Sequence, residues 1–199
     1  MKKHVIFLLA ATALLLVGCG RGQKFTVQGT MKDTGFPAAD SVKIEYEMMK
    51  APLRSAVKDG AFSIKGRVEK PVFAKVSTLG AERRHSVSCI LEKGDISFRK
   101  GLAYGTPLND STEAFTLRIS QTAKKYSGQK EAQVKAIENE FAAFVSRHAN
   151  DPCAIYAIMF GNHKLRAGFL RELIASTSPE IRNNGEIHSL EMELRIRAL

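Results

Sequence analysis

The chain has no tryptophan and only three cysteines in 199 residues. None of the cysteines forms a Cys-x-x-Cys pair, which argues against dithiol redox chemistry by the chain itself. Gly-x-Ser-x-Gly, Walker and Gly-x-Gly-x-x-Gly patterns are missing, so no recognised nucleophile elbow or phosphate loop is present. Long apolar runs are missing too. The longest, Val5 to Val17, has 13 residues with Thr12 as its one polar member, too few for a spanning helix. No repeat or low-complexity segment occurs. Without tryptophan, and with phenylalanines at core spacings, a sugar-stacking platform is unsupported. Tyr46, Tyr104 and Tyr156 are the aromatics left to contribute to one. Hydrophobic residues make up 44% and charged residues 25%, a folding rather than a disordered composition.

What is present is most informative at the N-terminus. Lys2 and Lys3 form a positive head, the apolar stretch follows, and Leu16-Val17-Gly18-Cys19 closes it. This arrangement is that of a secretory signal. Its last four residues resemble the lipobox of bacterial lipoproteins. The resemblance implies diacylglycerol on the Cys19 sulfur, cleavage after Gly18 and acylation of the new amine. Several acyl chains exceed the two-signal threshold for stable anchoring. The expected layout is a signal peptide over 1–18 and a lipidated tether over 19–24. Loss of residues 1–18 removes two lysines and no acid, so +8 of the +10 formal charge remains. That excess suits an anionic surface. A nucleic acid partner is not expected, since no binding motif is present. Gly20 after Cys19, rather than aspartate, resembles the signal for outer-membrane sorting. The expected location is the cell envelope, at the outer membrane facing the periplasm.

From Phe25 to about Tyr104 the apolar period is two. Phe25 and Val27, Val42, Ile44 and Tyr46, Phe62 and Ile64, and Ile96 and Phe98 alternate with polar residues. Turn chemistry separates the runs: Asp33-Thr34-Gly35, Asp59-Gly60, Lys93-Gly94-Asp95 and Lys100-Gly101. Lys58-Asp59-Gly60 predicts a hairpin, and the Arg83-Arg84-His85 cluster is expected at another hairpin tip. These spacings predict an antiparallel sandwich or open barrel over residues 25–105.

After Gly105 the period turns helical. Asp110 with Glu113 predicts a capping box opening the first helix, whose face carries Phe115, Ile119 and Tyr126. Residues 129–148 form a second, with a stripe of Val134, Ile137, Phe141, Phe144, Val145 and His148. Asp151-Pro152 starts a third that is apolar nearly all round. A fourth spans 165–175. Ser178-Pro179 opens a last helix reaching Leu199, with Asn183-Asn184-Gly185 as its weak point. The whole is an α+β chain, with an N-terminal β domain and a helical domain over 106–199.

Candidate chemical constellations are thin. His148, Cys153 and His163, with Cys89 and His85 elsewhere, fit no standard zinc spacing, so no metal or other cofactor is expected. Glu45 and Glu47 share one strand face, expected to be solvated. Cys89 and Cys153 sit in apolar runs and are expected to be buried, unreactive and unbridged, although an oxidising envelope permits a disulfide.

The β region resembles a known envelope domain. The residues that carry the likeness are Phe25-x-Val27-x-Gly29, Asp40-Ser41-Val42, Lys58-Asp59-Gly60-x-Phe62-x-Ile64-x-Gly66-x-Val68-x-x-Pro71, Leu91-Glu92-Lys93-Gly94-Asp95 and Gly105-Thr106-Pro107-Leu108-Asn109-Asp110. They are similar to the domain of unknown function that precedes the thioredoxin-like module in thiol–disulfide interchange lipoproteins of the TlpA/ResA type. The helices resemble the linker helices of those proteins, through Phe141-x-x-Phe144-Val145 and Asn150-x-Pro152. The residues that perform the family's redox chemistry have no counterpart here. The expectation is therefore a lipid-anchored, non-enzymatic binding or interaction protein that contacts the membrane through Cys19 and has an envelope protein partner. The alternative is an accessory to thiol–disulfide exchange that docks a separate thioredoxin-like protein.

Overall fold

A computed structural model describes residues 22–80 and 85–196. The signal peptide, Cys19, most of the tether and the Arg83-Arg84 pair lie outside the described residues.

The period-two runs become strands. They are β1 (Gln23–Thr30), β2 (Ser41–Tyr46), β3 (Leu53–Ala56), β4 (Ala61–Val68), β5 (Val72–Leu79), β6 (Ser86–Leu91), β7 (Gly94–Arg99) and β8 (Leu102–Tyr104). A single helical turn, α1 (Met31–Thr34), follows β1. Thr30 caps it, and Gly35 ends it in the left-handed conformation. The strands form two four-stranded sheets, β4-β1-β7-β8 and β3-β2-β5-β6, which do not close into a barrel. Among the described strands every pairing is antiparallel except β1 with β7, which is parallel and runs from Phe25 opposite Gly94 to Val27 opposite Ile96. The antiparallel expectation therefore holds for most of the β region and fails at this central pair.

The turns divide into two kinds. Lys100 and Gly101 both have positive φ, and β7 pairs directly with β8 across them. That is the two-residue hairpin whose twist matches its strands. Asp59 and Gly60 also have positive φ, and Lys58 bridges Ala61. There the ladder stops: β3 pairs with β2 in one sheet and β4 with β1 in the other. The local turn forms as predicted, but the strands it joins separate into different layers. His85 closes the β5–β6 connection through backbone contacts with Thr78.

Inward-facing Phe25, Val27, Phe62, Ile64, Ile96 and Phe98 of the first sheet meet Val42, Ile44, Ala74, Val76, Cys89 and Leu91 of the second. At Gly66 the chain needs a missing side chain, because an added Cβ would lie 2.4 Å from the Phe25 ring. The alternation breaks down in β5 and β6, where both faces are covered. Phe73 and Ile90 point away from the sandwich into a second, helical core.

That core is built by α2 (Pro107–Lys125), α3 (Lys130–Arg147), α4 (Pro152–Gly161), α5 (Ala167–Ala175), α6 (Pro179–Arg182) and α7 (Gly185–Ile196). Phe115 lies at its centre, stacked on Phe144 at 4.2 Å and edge-on to Phe141 at 5.0 Å. Apolar α4 is buried almost all round, as its sequence implies. The buried residues of α3 are Phe141, Phe144 and Val145 in its C-terminal half, and Val134 is exposed despite its place in the stripe. The last predicted helix breaks in two at Asn183-Asn184.

The capping box at Asp110 and Glu113 does not form. The first long helix begins earlier, at Pro107, and Glu92 caps it: its carboxylate accepts from the backbone N–H of Leu108 at 2.8 Å and of Asn109 at 3.3 Å. Asp110 accepts from Gly105 N–H, and Glu113 binds Arg99. The result is three layers: sheet, sheet and helices. Both cores are made from residues between Phe25 and Leu194, so a chain beginning at residue 20 retains every described element.

Candidate functional site

The helices cover only part of the second sheet's outer face. Beyond Phe73, that face carries Lys43, Glu45, Lys75, Ser77 and Ser86 in register on adjacent strands. The N-terminal end of α7 stands beside it. Between them is a cleft of about 560 Å³ lined by Tyr46, Lys75, Ser77, Ser86, Glu186 and Ser189, among others. It shares Tyr46, Glu47, Phe73 and Asn184 with a second depression of about 950 Å³, which runs on to Pro152 and Glu180.

Glu47 fixes the cleft's helical wall. Its carboxylate accepts from the Gly185 N–H at 3.0 Å and from the Asn184 side-chain amide. A carboxylate at a helix N-terminus is favourable, by about 0.3–1 kcal/mol where exposed. Lys75 binds Glu186 at 2.6 Å across the cleft, and Lys43 binds Glu45 at 2.6 Å. The Glu45–Glu47 face is thus an ordered, paired surface rather than the solvated strand face expected. Three carboxylates and one lysine line a cleft in a strongly basic chain.

On the floor lies Ser77, 1% exposed. Among the described residues, its hydroxyl is the buried side-chain polar atom without a hydrogen-bond partner. Leaving such a group unpaired costs about 1–3 kcal/mol. Ser77 carried no sequence signal. It sits in an apolar strand, and its isolation follows from which neighbours the register supplies.

The structure also gathers a second cluster. His148 lies between Ser111, whose Oγ is 3.1 Å from Nε2, and Asp151, whose Oδ2 accepts from Nδ1 at 2.8 Å. Cys153 lies beside them, all three metal-type donors within 4.8 Å of one another. Of the five candidate donors in the sequence, His148 and Cys153 come together here with Asp151, whereas His163, Cys89 and His85 are not part of this cluster. The chain of Ser111, His148 and Asp151 has hydrogen-bond spacings like those of a catalytic triad, yet its surroundings are those of a structural joint. Asp151 also caps α4 through the Cys153 N–H at 2.8 Å. The ring of His148 packs on Phe144. The N–H groups of Leu108 and Asn109 at the start of α2 are taken by Glu92. Both imidazole nitrogens are engaged, and burial holds the Cys153 thiol above its ordinary pKa, with Asp151 adding to the effect.

Cys89 and Cys153 are free, buried, and in different cores. Burial pushes the Cys89 thiol up to about 12. The three tyrosines named as platform candidates are dispersed: Tyr46 borders the cleft, Tyr104 lies under Arg99, and Tyr156 bonds Thr116 within the helical layer. No described helix is long and apolar enough to cross a membrane.

Comparison with known proteins returned no matching family model, no matching curated protein and no matching solved structure.

Proposed function

We propose that this chain is a lipid-anchored envelope protein that binds a polar or cationic partner in the cleft between its second sheet and α7, without chemical turnover. The observation that carries the reading is Ser77, a buried hydroxyl left unpaired on the floor of an acidic cleft. A ligand that supplied its missing partner would recover the desolvation cost. The lipobox at Leu16-Val17-Gly18-Cys19 supports the anchored location.

The test is photocrosslinking in the native envelope. A photoreactive residue at Ser86 or Ser189, on the cleft rim, should capture one defined partner, and the same residue at exposed Gln121 on α2 should not. Equal capture from both places, or none from the rim, overturns the reading. So does turnover of a thiol, peptide or glycan substrate by the purified protein. Capture of a thioredoxin-fold protein at the rim would make the chain an accessory to thiol–disulfide exchange.

A further inference from the structure

The outward face of the first sheet, opposite the cleft and helices, has its own charge pattern. At the β1 entry end, Lys24 stands directly opposite Arg67, and Thr26 stands opposite both Lys65 and Asp95. Lys24, Lys65, Arg67 and Asp95 surround one shallow concavity of about 460 Å³. Lys93 closes the same end, its backbone N–H donating to the Gln23 side chain at 3.2 Å. All four cations are exposed. Like charges directly opposite on neighbouring strands destabilise a sheet. The fold nevertheless lines this concavity with three cations and one acid, Asp95, and sets Lys93 at the same end of the sheet.

Position adds a second observation. The segment from Cys19 to Lys24 cannot exceed roughly 17 Å even when fully extended. An acyl group on Cys19 would therefore hold this end of the sheet within about two Debye lengths of the bilayer surface. The cleft lies on the other sheet, whose open side faces the helices.

We propose that this basic end of the first sheet, formed by Lys24, Lys65, Arg67 and Lys93, docks on an anionic lipid surface and orients the protein with its cleft away from the bilayer. The inference rests on the lipid-anchor part of the reading above for the closeness of the surface. The charge complementarity is a property of the face itself. Each basic side chain near an anionic surface contributes on the order of a five-fold gain in partitioning, so three together contribute roughly 100-fold.

The experiment uses residues 20–199, which lack Cys19, so its outcome does not depend on acylation. Binding is measured by co-sedimentation with vesicles of phosphatidylcholine alone and of phosphatidylcholine mixed with phosphatidylglycerol. The protein should sediment only with the mixed vesicles, and high salt should release it. The triple variant Lys24→Gln, Lys65→Gln, Arg67→Gln should lose binding by about 10- to 100-fold. A control of equal net charge, Lys124→Gln, Lys130→Gln, Lys135→Gln on the helices, should bind as the parent does. No binding to mixed vesicles overturns the proposal. So does an equal loss in the two variants, which would mean attraction by net charge alone. Binding of a soluble nucleic acid through the same residues, with no recruitment to vesicles, also overturns it. Failure of the anchor reading shows separately, as absence of palmitate incorporation at Cys19 in the full-length chain.

Discussion

Asn109 joins the two layers, and its removal should be among the costliest single changes in this protein. It is fully buried in the first turn of α2, facing β6, an edge strand of the second sheet. Its Oδ1 accepts from the Ile90 N–H at 2.9 Å, and its Nδ2 donates to the Ile90 carbonyl at 2.7 Å and to Thr106 Oγ1 at 2.7 Å. The side chain thus pairs with Ile90 as a neighbouring strand would, and it covers an edge that would otherwise present bare backbone groups. Asn109→Ala deletes three hydrogen bonds and leaves a buried N–H and a buried carbonyl without partners. At about 1–3 kcal/mol for each orphaned group, partly relieved by relaxation, the expected loss is about 3–4 kcal/mol. For a domain of this size that corresponds to a fall in Tm of roughly 10 °C. Asn109→Asp is the sharper variant. It keeps the acceptor but sets an oxygen against the Ile90 carbonyl, so at neutral pH it should be at least as damaging. It should recover as the pH falls, once the introduced carboxyl is protonated and can donate. Urea unfolding followed by circular dichroism measures both. A loss below 1 kcal/mol for the alanine variant, or native stability for the aspartate variant at neutral pH, would refute this account of the junction.

Three further outcomes are expected. Gly66→Ala should destabilise by about 1–3 kcal/mol, because the new methyl enters the Phe25 ring and the nearest Leu53 carbon stands only 2.9 Å away; an unchanged urea midpoint would contradict the packing. Cys89 and Cys153 should label slowly with iodoacetamide until the protein is denatured. Since burial raises the Cys89 pKa from 9.0 to about 12, its protonated form stabilises the fold fully below about pH 9, and that stability is lost as the pH rises toward 12. The alkaline limb of the stability curve should accordingly flatten in Cys89→Ala, and an identical limb would count against it. Ser111 should fail to react with a fluorophosphonate probe, while Asp151→Ala should cost about 1–2 kcal/mol through loss of the α4 cap and the His148 contact; rapid labelling of Ser111 would turn that joint into a candidate active site.

How much of this was legible in the sequence varies with the range of the interaction. Alternation in Phe25-Val27, Phe62-Ile64 and Ile96-Phe98 placed strands correctly, because side-chain period two is local geometry. Asp151-Pro152 placed a helix start, and Asn183-Asn184-Gly185 placed a helix break, because caps and breakers act within one turn. Asp59-Gly60 announced its turn correctly but not its consequence. Positive φ is a property of two residues, whereas the sheet that β4 joins depends on β1 lying more than 30 residues upstream.

Sequence alone therefore determined the strands around Phe25, Val42, Phe62 and Ile96, most of the helix segments, the change from β to α near residue 105, and an N-terminus that resembles a lipoprotein signal. Tertiary structure decided which strands share a sheet, the parallel β1–β7 pair, and the replacement of the Asp110–Glu113 capping box by Glu92 from β6's far end. It also decided that Glu47 would reach Gly185 from 138 residues away, that Asn109 would complete the edge of β6, and that Ser77 would face a cleft with nothing to bond. The physical reason is the same in each case. Periodicity, turn and cap signals arise from neighbours a few residues apart along the chain. Register and side-chain partnership are settled only when distant segments bury their apolar faces together and the polar groups left between them must find partners.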